Sequence, residues 1–170
     1  MTLSMLKSHE IIGFMSPNLA LEIINDAHEL DKPLYRVTLK AVAESRKLRP
    51  IFFERQPRAQ RHATMVAALA KPTLDLIAGN LLRGWLLKKH KAMLIDFLES
   101  LGLPHQEGVV ENLPDTMDEA KLHSAVEALL AKYPPEAVAV YLQAFHEMNE
   151  VEWPALKTML ENDQRLQLKG

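Results

Sequence analysis

The sequence predicts an all-α fold: a single-domain helical bundle, or a short array of helical hairpins, with about seven or eight helices around a long central helix over 72–101. Three observations predict it. Apolar residues recur at three- and four-residue spacing through most of the chain, the period of a helix with one buried face. Starts and stops are written as Ser-Pro, Lys-Pro, Pro-Pro and Gly-x-Pro signals. No segment alternates apolar and polar residues, rich in β-branched side chains, over the length of a strand.

Taken in order, Leu3 to about Phe14 reads as a short helix that opens after Thr2 or Ser4 and ends with help from Gly13. Ser16-Pro17 starts the next, because a Ser oxygen can accept from a free amide while Pro suits the first helical position. That helix reaches about Leu30 and turns Leu19, Ile23, Ala27 and Leu30 inward. Asp31 then caps a helix from Lys32 to about Leu48, with Leu34, Val37, Ala41 and Leu48 as its inner stripe and Lys32, Arg36, Lys40 and Lys47 on the other face.

Arg49-Pro50 and Gln56-Pro57 bracket a helical turn carrying Ile51, Phe52 and Phe53, and both aromatics read as core. The helix from Pro57 to Ala70 repeats Ala59, Ala63, Ala67 and Ala70, small side chains suited to close approach by a neighbouring helix. Lys71-Pro72 ends it and begins the central stretch, Pro72 to Leu101, which as one helix would be about 45 Å long. Leu74, Ile77, Leu81, Leu82, Trp85, Leu86, Phe97 and Leu98 cover most of its girth, which marks a helix buried among others. Trp85 reads as a core anchor, and Lys88-Lys89-His90-Lys91 must reach the surface, since unpaired buried charge is costly.

Gly102, Leu103 and Pro104 stop that helix: a left-handed residue, a side chain able to fold back, and a residue that cannot continue. His105 to Pro114 is the longest irregular segment. Thr116-Met-Asp-Glu119 has capping-box spacing and opens a helix with Leu122, Val126, Leu129 and Tyr133 inward. Pro134-Pro135 separates it from a helix over Glu136 to about Met148, which buries Val138, Tyr141, Leu142 and Phe145. Trp153-Pro154 opens the last helix, to about Asn162, and the tail from Asp163 is expected to fray.

Length and composition set the frame for function. The 170 residues are 48% hydrophobic and 25% charged, which predicts one globular domain over 1–170 without a separate linker. There is no Cys, which removes disulfides and thiolate metal sites and fits a reducing cytoplasm. No signal-peptide pattern opens the chain and no apolar run reaches about 18 residues, so a cytoplasmic protein without membrane contact is expected. The net charge of −2 hides a segregation: residues 32–91 carry fourteen Lys and Arg against three carboxylates, a net +11. Residues 1–31 carry −4 and residues 92–170 carry −9, an asymmetry that concerns partners rather than fold.

Catalytic motifs are absent from the sequence. The six Gly residues are scattered, with no phosphate-cradling cluster and no Ser between flanking glycines. The seven His residues never fall three or four apart, so no helix offers two imidazoles to one metal. No catalytic residue, metal or cofactor is expected. The nearest metal candidate is His146 with Glu150 one turn on, a pairing more usual on a solvated face. His105 and Glu107 share the long loop, where a His can titrate near neutral pH, although a polar loop is the plainer reading.

The basic third is the stronger signal. Arg46, Lys47, Arg49, Arg55, Arg58 and Arg61 lie within sixteen residues, and Arg suits bidentate contact with carboxylate or phosphate. With Arg36 and Lys40 before them, and Lys88, Lys89 and Lys91 in the central stretch, they form the candidate partner- or anion-binding set. Three readings compete: pairing with the acidic C-terminal helices within the fold or across a homodimer, docking of an acidic protein partner, and binding of nucleic acid or another polyanion. The pI near 6.4 and the acidic remainder weigh against the last. The expectation is therefore a non-enzymatic, self-associating helical interaction or scaffold protein that presents a basic surface to an acidic partner or to the acidic face of its twin. The alternative is a polyanion binder using 46–61. A third reading is an enzyme acting on a small anionic substrate through His62, His90 or His105.

Overall fold

The computed structural model describes residues 6–149 and 153–168, the side chains of 146–148 excepted. Among these residues regular structure is helical: ten α-helices, two 3-10 turns and no strand beyond one isolated bridge between Gln106 and Val109. Ten helices replace the seven or eight expected, in part because the central stretch divides. The expected opening of the first helix at Thr2 or Ser4 and the His146–Glu150 pair fall on residues or side chains outside those described. The chain forms two compact units, Lys7–Lys88 and Lys89–Leu168, and each is built as follows.

The first unit contains α1 (Ser8–Phe14), α2 (Pro17–Leu30), α3 (Lys32–Ser45), α4 (Pro50–Glu54), α5 (Arg58–Leu69), a 3-10 turn over Pro72–Leu74, and α6 (Asp75–Lys89). Start signals act as their chemistry requires. Ser16 Oγ accepts from the Leu19 amide at 3.2 Å and Asp31 Oδ1 from the Leu34 amide at 3.4 Å, each followed by Pro in the first turn. α2 packs on α3 and α5 through Ala20, Ile23, Ile24 and Ala27, while Leu30 is exposed. Trp85 is the anchor expected of it: its ring is buried and Nε1 donates to Asp26 Oδ2 at 3.0 Å. No break occurs at Gly84, which lies inside α6 where a Cβ would run into the Leu34 side chain. Gly13 sits within the helix, one residue before its end, where a Cβ would make ordinary contact with the Ala70 methyl.

Several faces differ from the sequence reading for one physical reason. α3 buries Tyr35, Thr38, Leu39, Val42 and Ala43, leaving Val37 57% exposed and Leu48 at the surface. α5 buries His62, Met65, Ala68 and Leu69, leaving Ala59, Ala63 and Ala67 outward. In both helices the inner stripe includes polar residues whose hydrogen bonds are satisfied inside: Thr38 Oγ1 donates to the Leu34 carbonyl at 2.8 Å, and Tyr35 bonds His62. A satisfied polar group is cheap to bury, and a stripe chosen on apolarity alone rotates off the true one.

The second unit contains α7 (Lys91–Ser100), α8 (Glu119–Lys132), α9 (Pro135–Asn149), α10 (Pro154–Asn162) and a 3-10 turn over Gln164–Leu166. Every residue of α9 from Ala137 to Phe145 is buried. This is the all-round burial expected of the central stretch, found in a different helix. Phe97, Tyr141, Phe145 and Trp153 pack their rings with centroids 5.4–5.9 Å apart in successive contacts, a range suited to edge-on aromatic pairs. Burial pushes the Tyr141 phenol up from its ordinary pKa. Residues 163–168 are held by specific contacts, against the expectation of fraying. Leu166 is fully buried, and Arg165 pairs with Asp163 at 2.7 Å and with Glu127 at 2.6 Å.

The continuous helix over 72–101 is corrected. Pro72–Leu74 is a 3-10 turn, and α6 and α7 are interrupted at His90, whose φ of −122° and ψ of 30° leave the helical region. Helices are held mainly by packing of a buried face. Lys88, Lys89 and Lys91 are all exposed, so this turn has little such face and the helix does not continue through it. α7 then ends as expected. Gly102 takes φ 69°, its amide bonds Glu99 O and the Leu103 amide bonds Leu98 O, both at 3.0 Å. α8 starts two residues later than its capping-box spacing indicates, because Asp118 rather than Thr116 accepts the first amide, that of Lys121, at 2.8 Å.

Among the described residues no single helix is long and apolar enough to cross a membrane; α5 and Pro72–Lys89 reach the length only as a pair bent by 94°.

Candidate docking surface on the first unit

The site grows from the end of α3. The helix stops at Arg46, and Lys47 takes φ 58°, the left-handed position that glycine usually fills. The Lys47 amide bonds Glu44 O at 3.1 Å and the Leu48 amide bonds Ala43 O at 2.8 Å, which closes the helix and turns the chain sharply. Arg49 and Pro50 then start α4, with the amides of Phe52 and Phe53 bonding Arg49 O at 3.0 and 3.1 Å. Successive residues on a helix point about 100° apart, so a short helix lying on a core buries one of two neighbours. Phe53 is fully buried. Phe52 and Ile51 are 55% and 53% exposed, which corrects the assignment of both aromatics to the core.

Around this apolar pair the basic residues divide into two groups. The guanidinium groups of Arg46, Arg49 and Arg55 are exposed and in no hydrogen bond or ion pair among the described residues. Arg58 and Arg61 are engaged within the unit. Arg58 Nη2 lies 2.6 Å from both Asn25 Oδ1 and Glu29 Oε1 and 3.0 Å from His28 Nδ1; its hydrogen bond holds the Glu29 carboxyl below the usual range. Arg61 donates to Tyr35 Oη at 2.8 Å and to the carbonyls of Glu54 and Gln56 at 2.9 and 3.1 Å, tying the end of α4 to α5. Arg36 and Lys40 are exposed one turn apart on α3. Lys88 is exposed at the end of α6. Lys89 and Lys91 belong to the second unit, where Lys91 lies 3.9 Å from Glu107. The candidate is thus the exposed set at the α3–α4 corner, Arg46, Arg49 and Arg55 with Leu48, Ile51 and Phe52. An open recess of about 400 Å³ adjoins Arg46, lined also by Ser45, Lys71 and Thr73.

Behind the surface, His28, Tyr35 and His62 pack edge-on, with ring centroids 4.7–5.9 Å apart. Arg61 donates to the phenol oxygen, and the same hydroxyl is hydrogen-bonded to Nε2 of His62, 2.9 Å away. His62 is only 4% exposed. Burial, joined by the positive charges of Arg61 and Arg58, brings its pKa down to about 4. This imidazole is a structural link between α3 and α5. His105, in the second unit, accepts from the Gly108 amide through Nδ1 at 3.2 Å and faces Glu99 Oε2 through Nε2 at 3.2 Å, so both ring nitrogens organise the loop. His90 occupies the break before α7. Of the three histidines considered for catalysis, His62 lies beside Arg58 and Arg61, while His90 and His105 belong to the second unit. Among the described residues no group of three or more His, Asp or Glu is placed to hold a metal ion.

Sequence reasoning missed the division between engaged and unengaged arginines. It also missed the exposed position of Phe52, for which the two prolines delimiting a five-residue helix are a usable signal: so short an element has one inner face. No protein-family model, curated protein or solved structure matches the chain.

Proposed function

We propose that this is a non-enzymatic helical interaction protein whose first unit docks an acidic protein surface on the α3–α4 corner. The observation that carries the reading is the conjunction of Ile51 and Phe52, both more than half exposed, with the unengaged guanidiniums of Arg46, Arg49 and Arg55. Exposed aromatic residues ringed by Arg are the composition of an interface centre. Cations outside the apolar pair steer an acidic partner and fix its register, while burial of Ile51 and Phe52 contributes most of the affinity.

The test is an NMR titration of the full chain with a synthetic amphipathic peptide of alternating Glu and Leu at low salt. Shifts concentrated in residues 46–58, and an affinity that falls about tenfold with Arg49→Glu plus Arg55→Glu, are expected. Shifts absent, or spread evenly over the chain, overturn the reading. Because the contact is partly electrostatic, affinity weakens as salt shortens the screening length.

A second reading, binding of nucleic acid or another polyanion through 46–61, draws support from the recess where Arg46 and Lys71 stand beside Ser45 and Thr73. Here phosphate contacts supply the affinity by counterion release. Generic single- and double-stranded oligonucleotides, titrated in the same way, separate the two: oligonucleotides that outbind the peptide at equal charge favour the polyanion.

A further inference from the structure

Residues 92–120 contain no Lys or Arg against seven carboxylates. Within that span the loop from His105 to Asp118 is irregular but fixed at several points. Gln106 and Val109 exchange backbone bonds of 2.8 and 3.0 Å across a tight turn in which Glu107 and Gly108 have φ of 52° and 88°. The Gly108 amide is held by His105. Trp153 Nε1 donates to the Pro114 carbonyl at 3.0 Å, and Asp118 caps α8. On this frame Val109 is 50% exposed, and Glu111 and Asp115 are exposed with no bond or ion pair among the described residues.

The loop is thus an acidic ridge with an apolar point. It is the chemical complement of the α3–α4 corner, and it is already ordered, so association costs little further chain entropy. Resting on the docking role proposed above for that corner, we infer that its occupant is the 107–119 ridge of a second copy of this chain, with Glu111 and Asp115 facing Arg49 and Arg55 and Val109 covering Ile51 and Phe52. Each copy carries both halves, and the inference takes two copies to pair about a two-fold axis, which makes the contact twice.

Sedimentation equilibrium of the full chain tests this. The mass is expected to rise with concentration from the 19.3 kDa of one chain toward twice that value, and to fall back as salt is added. Arg49→Glu with Arg55→Glu in one variant, and Glu111→Lys with Asp115→Lys in another, each shift dissociation at least tenfold toward monomer. An equal mixture of the two variants restores the dimer, because every reversed charge then meets its opposite; the restored mass also shows that both variants are folded. A wild-type monomer at all concentrations overturns the inference, and so does a dimer that survives in both variants. A monomer that still binds the Glu/Leu peptide at 46–58 overturns only the self-pairing. A monomer that binds no peptide overturns the docking role as well.

Discussion

Replacing His62 by Gln removes the one group in the first unit whose charge is most strongly opposed by the fold. His62 is 4% exposed, and burial together with Arg61 and Arg58 lowers its pKa from 6.5 to about 4. The unfolded chain takes up a proton near 6.5, whereas the folded unit refuses it until about 4. Between those values the unfolded state binds more protons, so stability rises with pH. The contribution is therefore complete above 6.5 and is lost as pH falls toward 4. One pKa unit corresponds to roughly 1.36 kcal/mol, so the whole window amounts to about 3 kcal/mol.

Urea denaturation read by Trp85 fluorescence, in a Trp153→Phe background so that only the first unit reports, measures it. Wild type should lose roughly 3 kcal/mol relative to His62→Gln between about pH 7 and pH 4. The variant itself starts lower at neutral pH by about 1 kcal/mol, because the bond between this side chain and Tyr35 is weakened. Subtracting the variant removes the other histidines and the carboxylates, among them Glu29, which Arg58 holds below the usual range. Parallel pH profiles for the two proteins would refute the argument that burial keeps this imidazole neutral.

Two further outcomes concern the left-handed residue after α3 and the buried end of the second unit. Lys47→Gly should stabilise the first unit by about 0.5–1 kcal/mol, because a Lys held at φ 58° is relieved of left-handed strain by more than the entropy glycine adds to the unfolded chain; thermal unfolding measures it, and a lower melting temperature contradicts it. Leu166→Ala, four residues from the end of the chain, should cost about 2–4 kcal/mol because the side chain is fully buried. Hydrogen exchange in α9 reports it, and unchanged protection there would mean that the tail is peripheral after all.

Local chemistry written in consecutive residues was legible without coordinates. Ser16-Pro17 and Asp31 start helices where hydroxyl and carboxylate oxygens accept free amides, and Gly102-Leu103-Pro104 ends one, because each signal acts within a turn of itself. The basic composition of the candidate surface was legible for the same reason: charged heads stay in water, and Arg46, Arg49 and Arg55 do.

What only the tertiary structure decided is which face of a helix turns inward and which cation is engaged. Tyr35 and His62 could be buried only because each satisfied the other across 27 residues of sequence; that pairing pulled α3 and α5 round, left Val37 and the Ala59–Ala67 row outside, and brought Arg61 onto the phenol. Phe52 and Phe53 are alike in composition and differ only in direction. The stretch from Pro72 to Leu101 has the periodicity of one helix, but periodicity carries no information about where its neighbours are. With Lys88, Lys89 and Lys91 all exposed, little packing holds this turn helical, and the backbone breaks at His90. The sequence alone determined the helices and the charge they carry, since both follow from side-chain chemistry and short-range bonding. The tertiary structure decided their faces, their breaks and the exposed corner at Ile51 and Phe52, since those depend on partners distant in the chain.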